Sequence, residues 1–303
     1  MKVTVLSSSG KTILELKELE EGMTVRELKN VFHRHKSSLY PSRQMFRLEP
    51  KSPGLKDDDT LAQHNIRDGS SLYFKDLGPQ IGWSTVFLSE YTGPLAAYML
   101  FYFRPSWIYG SAVAQASYHN VVHVAALCWT FHYLKRDLET LFVHRFSKGT
   151  MPILNLFKNC SYYWGFAAFI SYFVNHPLYT PPMFGDLQFY IGLGGFLFCE
   201  YGNFVCHCLF RDLRPAGSKV RRIPVPNSNP LSLMFHFVSC PNYTYEIGAW
   251  FFFSIMTQSL PGLLFTAGGA AQMAIWALGK HRNYRHEFKD YPRGRKAIFP
   301  FFL

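Results

Sequence analysis

The sequence lacks both the cysteine spacing of a zinc site and an apolar leader at its start. No CxxC pair occurs, which argues against a zinc site or a disulfide framework. The chain opens with Met1 and stays polar for dozens of residues, so we expect no cleavable signal peptide. The six cysteines all lie in the second part of the chain, at Cys128, Cys160, Cys199, Cys206, Cys208 and Cys240.

Acidic residues are scarce after residue 76. Residues 77–303 hold 9 of the 20 Asp+Glu but 18 of the 31 Lys+Arg, whereas residues 1–76 hold 11 and 13. Most of the net charge of +11 therefore belongs to the second part. The mean hydropathy of −0.03 averages a polar region with an apolar, aromatic-rich one. We predict two domains, over residues 1–76 and 77–303.

The first domain has the pattern of a small α+β fold. Thr24 and Glu27 have the spacing of a capping box and begin an amphipathic helix. Strand candidates flank this helix at residues 3–6, 12–16, 45–48 and 71–74. The order strand, strand, helix, strand, strand predicts a β-grasp.

Two segments of this domain, residues 10–13 and 59–66, resemble ubiquitin. No diglycine tail follows Phe74, and the chain continues into an apolar stretch. This excludes a conjugated modifier and favours a cytosolic docking or stabilising domain.

The second domain is predicted to be an all-α transmembrane bundle of about six spans, or seven. A span needs roughly 20 mostly apolar residues. The candidates are residues 81–103, 121–134, 162–174, 189–209 and 247–278, with a shorter stretch at 231–238. Pro261 and Gly262 divide the last long candidate into a helical hairpin. Basic residues cluster at 211–222 and 280–296, which predicts that both segments are cytosolic.

Polar side chains inside the apolar stretches are candidates for function, because burying them in a membrane is costly. They are Glu90, Glu200, Asn203, His207 and Glu246. Taken singly, each is explained by a hydrogen bond between helices. Three of them form one helical stripe that Arg211 extends and Arg214 follows in the loop. A polar stripe leading to arginines suits a large anionic ligand whose uncharged end lies deeper.

The histidines give little support to a metal centre. Membrane di-iron enzymes carry several HxxxH and HxxHH boxes, whereas His119 and His123 provide one HxxxH spacing and no HxxHH occurs. We predict no metal site and assign these histidines to packing or interface roles.

Several longer segments together resemble the steroid 5-alpha-reductase superfamily. They are residues 139–146, 203–217, 239–246, 281–284, 290–292 and 298–301. With the ubiquitin-like head, the layout is similar to the very-long-chain trans-2-enoyl-CoA reductase branch, and the superfamily part covers about residues 145–303. The resemblance implies NADPH-dependent reduction of long and very-long-chain enoyl-CoA in the last step of fatty acid elongation. It also implies a multi-pass endoplasmic reticulum protein, and a condensing enzyme and a dehydratase as partners.

The same resemblance implies which side chains bind NADPH. The matching positions are Asn203, His207, Arg211, Arg214, Asn242, Glu246, His281 and Tyr284. The steroid branch often carries Asp where this chain has His207. Its Glu–Tyr pair, which polarises a ketone, has no secure counterpart here.

Reduction of an enoyl thioester requires a proton donor and a group that stabilises the enolate. We predict Tyr243 as the acid, with Lys135 or His144 as its cation or partner. An interfacial aromatic residue is the competing explanation for Tyr243. Gly192, Gly194 and Gly195 are explained by close helix packing, and an acyl chain passing between helices is the alternative.

Three alternatives to an enoyl-CoA reductase stay open at this point. They are a steroid or polyprenol reductase, a methyltransferase of the isoprenylcysteine type, and a non-catalytic scaffold that uses its ubiquitin-like head. A methyltransferase would not need several arginines for a phosphate-rich dinucleotide. Nothing in the sequence points to nucleic acid.

Overall fold

The computed structural model describes residues 1–111, 115–146, 149–215, 218 and 220–303. Lys219 of the basic segment, and Ala216 and Gly217 of the resembling segments, lie outside the described residues. The chain divides into two compact units. The first comprises Met1–Trp83 with Lys148–Leu156, and the second comprises Ser84–Ser147 with Phe157–Leu303.

The first unit contains a four-stranded mixed sheet and one α-helix. The elements are β1 (Val3–Ser7), β2 (Thr12–Leu16), α1 (Val25–His35), a 3₁₀ turn (Pro41–Arg43), β3 (Gln44–Arg47), a 3₁₀ turn (Ala62–His64) and β4 (Ser70–Asp76). The strand order is β2-β1-β4-β3, with β1 and β4 parallel and the other pairs antiparallel. This is the predicted ubiquitin-like fold.

The core of this unit follows from the alternation in its strands. Val3 and Val5 of β1 lie on one face of the sheet and are fully buried, with Phe46 and Leu72 from β3 and β4. Phe32 on the apolar face of α1 packs against Phe46, with ring centroids 5.5 Å apart.

Two local contacts fix the ends of these elements. The predicted capping box is present: Thr24 N donates to Glu27 Oε2 at 2.7 Å, and Glu27 N donates to Thr24 Oγ1 at 3.3 Å. The backbone hydrogen bond from Thr24 lowers the pKa of Glu27. Arg43 donates to both oxygens of Asp76 at 2.6 Å, and these hydrogen bonds lower the Asp76 pKa.

A small antiparallel ribbon follows the sheet. It joins β5 (Gln80–Gly82) to β6 (Thr150–Pro152), and Gln80 N donates to the Tyr40 hydroxyl at 2.8 Å. Residues 81–103 were predicted to form one apolar span, and the ribbon was not predicted. The first long helix begins at Trp83 instead, because the residues before it pair as a strand.

The second unit is helical. Its helices are α2 (Trp83–Tyr102), α3 (Ser106–Tyr109), α4 (Asn120–Phe142), α5 (Ile153–Val174), α6 (Gly185–Leu213), α7 (Pro241–Thr257) and α8 (Leu260–Glu287), with a 3₁₀ helix at Pro230–His236. Among the described residues, two helices are long and apolar enough to cross a membrane, α6 and α8. The count of six spans stays a prediction.

The break between α7 and α8 lies earlier than predicted. Gln258 has a left-handed backbone (φ 47°), and the Ser259 hydroxyl accepts a hydrogen bond from Gly262 N, so the chain turns before Pro261. A proline in the first turn of a helix leaves no intrahelical hydrogen bond unmade, so it begins α8 rather than dividing it. The helix then continues to Glu287, which places His281 and Tyr284 on it.

The glycines of α6 serve helix packing rather than an acyl slot. A Cβ on Gly192 would collide with the Met256 backbone of α7, and one on Gly195 would collide with the Phe252 ring. Gly194 faces open space. Two of the three proposed slot residues are therefore occupied by the contact between α6 and α7.

Candidate active site

A stripe of four polar side chains on α4 faces the interior of the helical unit. His132, Lys135, Arg136 and Glu139 stand at i, i+3, i+4 and i+7, so they share one side of the helix. His132 and Glu139 are buried, and the Lys135 and Arg136 side chains are nearly so.

The predicted stripe on α6 meets the stripe on α4. Glu200 accepts hydrogen bonds from His132 Nδ1 at 2.6 Å and forms an ion pair with Lys135 Nζ at 2.8 Å. Lys135 also donates to Asn203 Oδ1 at 3.0 Å. One carboxylate thus receives a histidine and an ammonium from the facing helix.

A second carboxylate, Glu139, lies one turn further along. Its Oε2 is 2.7 Å from Arg136 Nη1 and 2.9 Å from His207 Nδ1. The other end of the Arg136 guanidinium donates to the Tyr91 hydroxyl of α2 at 2.9 Å. The arginine therefore connects α2, α4 and α6.

His144 lies at the edge of this group, 3.9 Å from Glu139 Oε2. Burial, and then the positive charge of Arg136, lower the pKa of His144 to about 3. Its imidazole is therefore neutral at pH 7, so it can serve as a hydrogen-bonding partner but not as a cation.

The first turns of α7 complete the cluster. Asn203 Nδ2 donates to Glu246 Oε2 and to the Asn242 carbonyl, both at 3.0 Å. Trp250 Nε1 donates to Glu246 Oε1 at 3.3 Å. The Asn242 side-chain oxygen is buried and has no hydrogen-bond partner among the described residues.

These side chains form a single buried network of opposite charges. Lys135 pairs with Glu200 and Arg136 with Glu139, and Glu246 lies 3.4 Å from His132 Nε2. Buried ions cost free energy unless they are paired, so each member depends on the others. Such networks of ionisable groups are typical of functional sites, and they also hold helices in register.

Glu139, His144 and His207 also bring three possible metal-ligand atoms within 4.8 Å of one another. The Arg136 guanidinium contacts the same Glu139 oxygen and lies 3.1 Å from His207 Nδ1. Because this fixed cation already pairs with the Glu139 carboxylate, we assign the three residues to the ion-pair network.

Glu90, the remaining polar candidate, is buried on α2 beside this region. Its carboxylate accepts a hydrogen bond from Asn159 on α5 at 2.7 Å.

A second group of predicted site residues lies between the start of α7 and the second half of α8. The Lys280 ammonium is 4.6 Å from the centre of the Tyr243 ring, and Trp276 packs on the same ring. Ser239 Oγ is 2.6 Å from His281 Nδ1. Tyr284 stacks on Tyr291 with centroids 5.5 Å apart.

Arg211 and Arg214 stand at the end of α6. Arg211 pairs with its neighbour Asp212 at 2.8 Å, and Arg214 donates to the Arg145 carbonyl at 3.4 Å. The α6 stripe thus runs from buried Asn203 and His207 to partly exposed arginines.

The structure brings six of the predicted residues into one cluster and places the others elsewhere. The six are Lys135, His144, Asn203, His207, Asn242 and Glu246. Tyr243, His281 and Tyr284 lie toward α8, and Arg211 and Arg214 at the α6 end. Lys280, rather than Lys135 or His144, is the cation that the structure places beside Tyr243.

Three members of the cluster were missed from the sequence: Tyr91, His132 and Arg136. The signal for the two α4 residues was the i, i+3, i+4, i+7 spacing with Lys135 and Glu139, inside a segment read only as a weak span. Nothing marked Tyr91 among the 18 tyrosines.

Comparison with known proteins identifies the lineage of both units. The family described as 3-oxo-5-alpha-steroid 4-dehydrogenase matches residues 149–303, and the family described as TECR, ubiquitin-like domain matches residues 1–76.

Individual relatives match over almost the whole chain. The probable very-long-chain enoyl-CoA reductase art-1 of Caenorhabditis elegans is 56% identical over 96% of this chain and 95% of its own length. The very-long-chain enoyl-CoA reductase of Dictyostelium discoideum is 55% identical over 82% of this chain and 79% of its own. The trans-2,3-enoyl-CoA reductase-like protein of Mus musculus is 44% identical over 97% of this chain and 81% of its own length. The chain belongs to the very-long-chain enoyl-CoA reductase family, within the larger group of 3-oxo-5-alpha-steroid 4-dehydrogenases.

Proposed function

We propose that this protein reduces the trans-2 double bond of long and very-long-chain enoyl-CoA to the saturated acyl-CoA, with NADPH as reductant. The reaction would be the final step of fatty acid elongation. The observation that carries the proposal is the 56% identity, over nearly the whole chain, to a relative named as such a reductase. The buried ionic cluster in the same helical unit supplies a site for the chemistry.

The residues fit a dinucleotide with an uncharged nicotinamide end and a phosphate-rich end. The unpartnered Asn242 oxygen is a buried acceptor for an amide donor. Asn203 bonds to the Asn242 backbone and to Glu246, His207 lies one turn further along α6, and Arg211 and Arg214 provide guanidinium groups at its outer end. Residues 203 and 211 are about 12 Å apart along a helix, which suits an extended ligand. We propose His281 and Tyr284 as further cofactor residues.

NADPH would supply the hydride that adds at C3 of the enoyl thioester. Negative charge then develops on the thioester oxygen. The Lys135 ammonium, held by Glu200 and Asn203, is our candidate to stabilise that charge. His144, neutral at pH 7, is our candidate hydrogen-bonding partner beside it.

A proton must then reach C2, and Tyr243 is our candidate donor. Its Cα lies about 3.8 Å from that of Asn242, because the two are consecutive, so its backbone borders the cluster. Lys280 beside the ring favours the phenolate that remains after proton transfer. The charge of Lys280 takes the role that the sequence analysis gave to Lys135 or His144.

We further propose that residues 77–303 form a multi-pass endoplasmic reticulum domain of about six spans. Its part from about residue 145 would carry most of the cofactor site. The ubiquitin-like domain, residues 1–76, and the C-terminal tail would face the cytosol, where the condensing enzyme and dehydratase of elongation would be partners. The two apolar helices and the basic clusters support this arrangement.

The test is NADPH oxidation by the purified protein in nanodiscs with trans-2-hexadecenoyl-CoA, with the product identified by mass spectrometry. We expect hexadecanoyl-CoA from the parent and none from Tyr243→Phe, which should still bind NADPH. Tyr190→Phe, at an exposed tyrosine of α6, is the matched control and should remain active. Arg214→Ala should weaken NADPH binding, whereas Arg26→Ala on the ubiquitin-like unit should not.

Reduction of a 3-oxo-4-ene steroid in place of the enoyl-CoA would move the protein to the steroid branch. A folded protein that binds no NADPH would instead support the scaffold alternative.

A further inference from the structure

An apolar groove runs along α4 and opens at the surface of the helical unit. Its volume is about 340 Å³. The apolar lining consists of Phe131, Leu134, Leu138, Phe142 and Val143 from α4 and its end, and Phe204 from α6.

The floor of the groove differs from its walls. Lys135 and Glu139 also line it, and both belong to the buried cluster, where Lys135 pairs with Glu200 and Glu139 contacts Arg136 and His207. The wall residue Leu134 is 48% exposed, whereas Glu139 is 1% exposed. The groove is therefore lined by hydrocarbon side chains at its mouth and by a buried ammonium and carboxylate at its floor.

We infer that this groove binds the acyl tail of the enoyl-CoA and directs its thioester to Lys135. The inference rests on the proposed function. The enoyl-CoA has a long hydrocarbon tail and a polar thioester. The tail matches the apolar mouth of the groove, and the thioester matches the cationic floor. Each methylene buried there contributes to binding in proportion to the area removed from water.

The groove is separate from the glycines of α6 that were considered as an alternative acyl slot. Gly192 and Gly195 are filled by contacts with α7, and neither lines the groove. The acyl tail and the glycine contacts thus use different faces of α6.

The test fills the groove and compares two substrates that differ only in tail length. Leu134→Trp and Leu138→Trp are measured with trans-2-hexadecenoyl-CoA and with crotonyl-CoA in nanodiscs. We expect kcat/KM to fall at least about tenfold for the long substrate and less than about twofold for the short one, because the lost contacts are those of the tail alone. Two variants are used so that misfolding of one leaves the other informative.

Leu264→Trp is the matched control, since Leu264 is an exposed leucine of α8 at 49% and does not line the groove. It should behave as the parent with both substrates. Equal losses on both substrates, or none with either, would overturn the inference.

Binding of hexadecanoyl-CoA to the same variants separates the two proposals. A parent that reduces neither substrate but binds hexadecanoyl-CoA, with weaker binding by Leu134→Trp, would refute the proposed reaction and leave the groove standing. Unchanged binding in both tryptophan variants would refute the groove.

Discussion

In the ubiquitin-like unit, ion pairs such as Arg26–Asp58 join side chains that are more than half exposed, whereas the central ion-pair cluster of the helical unit is buried. The Glu139 and Glu200 side chains are only 2% exposed there. Exposed pairs contribute little to stability because water screens both partners. Buried pairs are interdependent, because the loss of one ion leaves its partner desolvated and alone. We therefore expect substitutions of the exposed charges to change the stability of the protein little, and substitutions of the buried charges to lower it strongly.

The largest effect on stability is expected when a buried ion pair is broken. Glu200→Leu removes the carboxylate nearest to both Lys135 and His132, and we expect it to destabilise the helical unit by about 3–5 kcal/mol. Asp58→Asn is the control and should cost no more than about 1 kcal/mol. Chemical unfolding of both variants in one detergent measures the difference, and equal losses would show that burial does not separate the two classes of charge.

A second test concerns backbone packing in the helical unit. Gly192→Ala places a Cβ against the Met256 backbone, and we expect it to destabilise the protein by about 1–3 kcal/mol. Gly194→Ala, two residues away and facing open space, should stabilise α6 by about 0.5–1 kcal/mol. Opposite shifts in the unfolding temperature are the expected readout. Shifts of the same sign would mean that α6 and α7 are not in close contact.

The ubiquitin-like unit offers a smaller, local test. Thr24→Ala removes the capping hydrogen bond at the start of α1 and should cost about 1 kcal/mol. Hydrogen exchange of the α1 amides in the full-length protein should accelerate, while the amides of α6 keep their protection. Ser37→Ala, at an exposed turn position, should change neither.

The smallest expected effect is a pH dependence confined to the ubiquitin-like unit. Thr24 and Arg43 lower the pKa values of Glu27 and Asp76 in the folded state. Their contribution is therefore complete above the unfolded-state pKa values, about 4.3 for Glu and 3.9 for Asp, and is lost as the pH falls through the lower folded values.

Hydrogen exchange of the β3 and β4 amides between pH 7 and pH 3 measures this loss. Asp76→Asn should flatten the pH dependence of those amides. An unchanged profile would mean that the Arg43–Asp76 pair contributes nothing in solution.

Local rules were sufficient for the ubiquitin-like unit. The strand alternation around Val3 and Val5, and the Thr24–Glu27 capping box, depend on residues close in sequence, so both could be predicted. The α6 stripe from Asn203 to Arg211 was visible for the same reason.

The candidate site could be predicted only in part, since its contacts join distant segments. Lys135 and Glu200 are separated by 65 residues, and nothing in the sequence shows which face of α4 meets α6. Tyr243 and Asn242 are neighbours, yet one points to α8 and the other contributes to the cluster, because successive residues of a helix differ by about 100° in direction. The segment 80–82 is too short to carry a strand pattern, so its pairing with residues 150–152 could not be predicted.

The short ribbon between β5 and β6 determines the order in which parts of the chain can fold during translation. β1 to β4 are complete by Asp76, so the ubiquitin-like sheet can assemble while the rest is still being translated. The ribbon must wait, because Gln80 meets Thr150, a residue made 70 positions later. At about 5–20 residues per second, this delay is roughly 4–14 s. During that interval α2 and α4 are being synthesised, but the strand that precedes α5 does not yet exist.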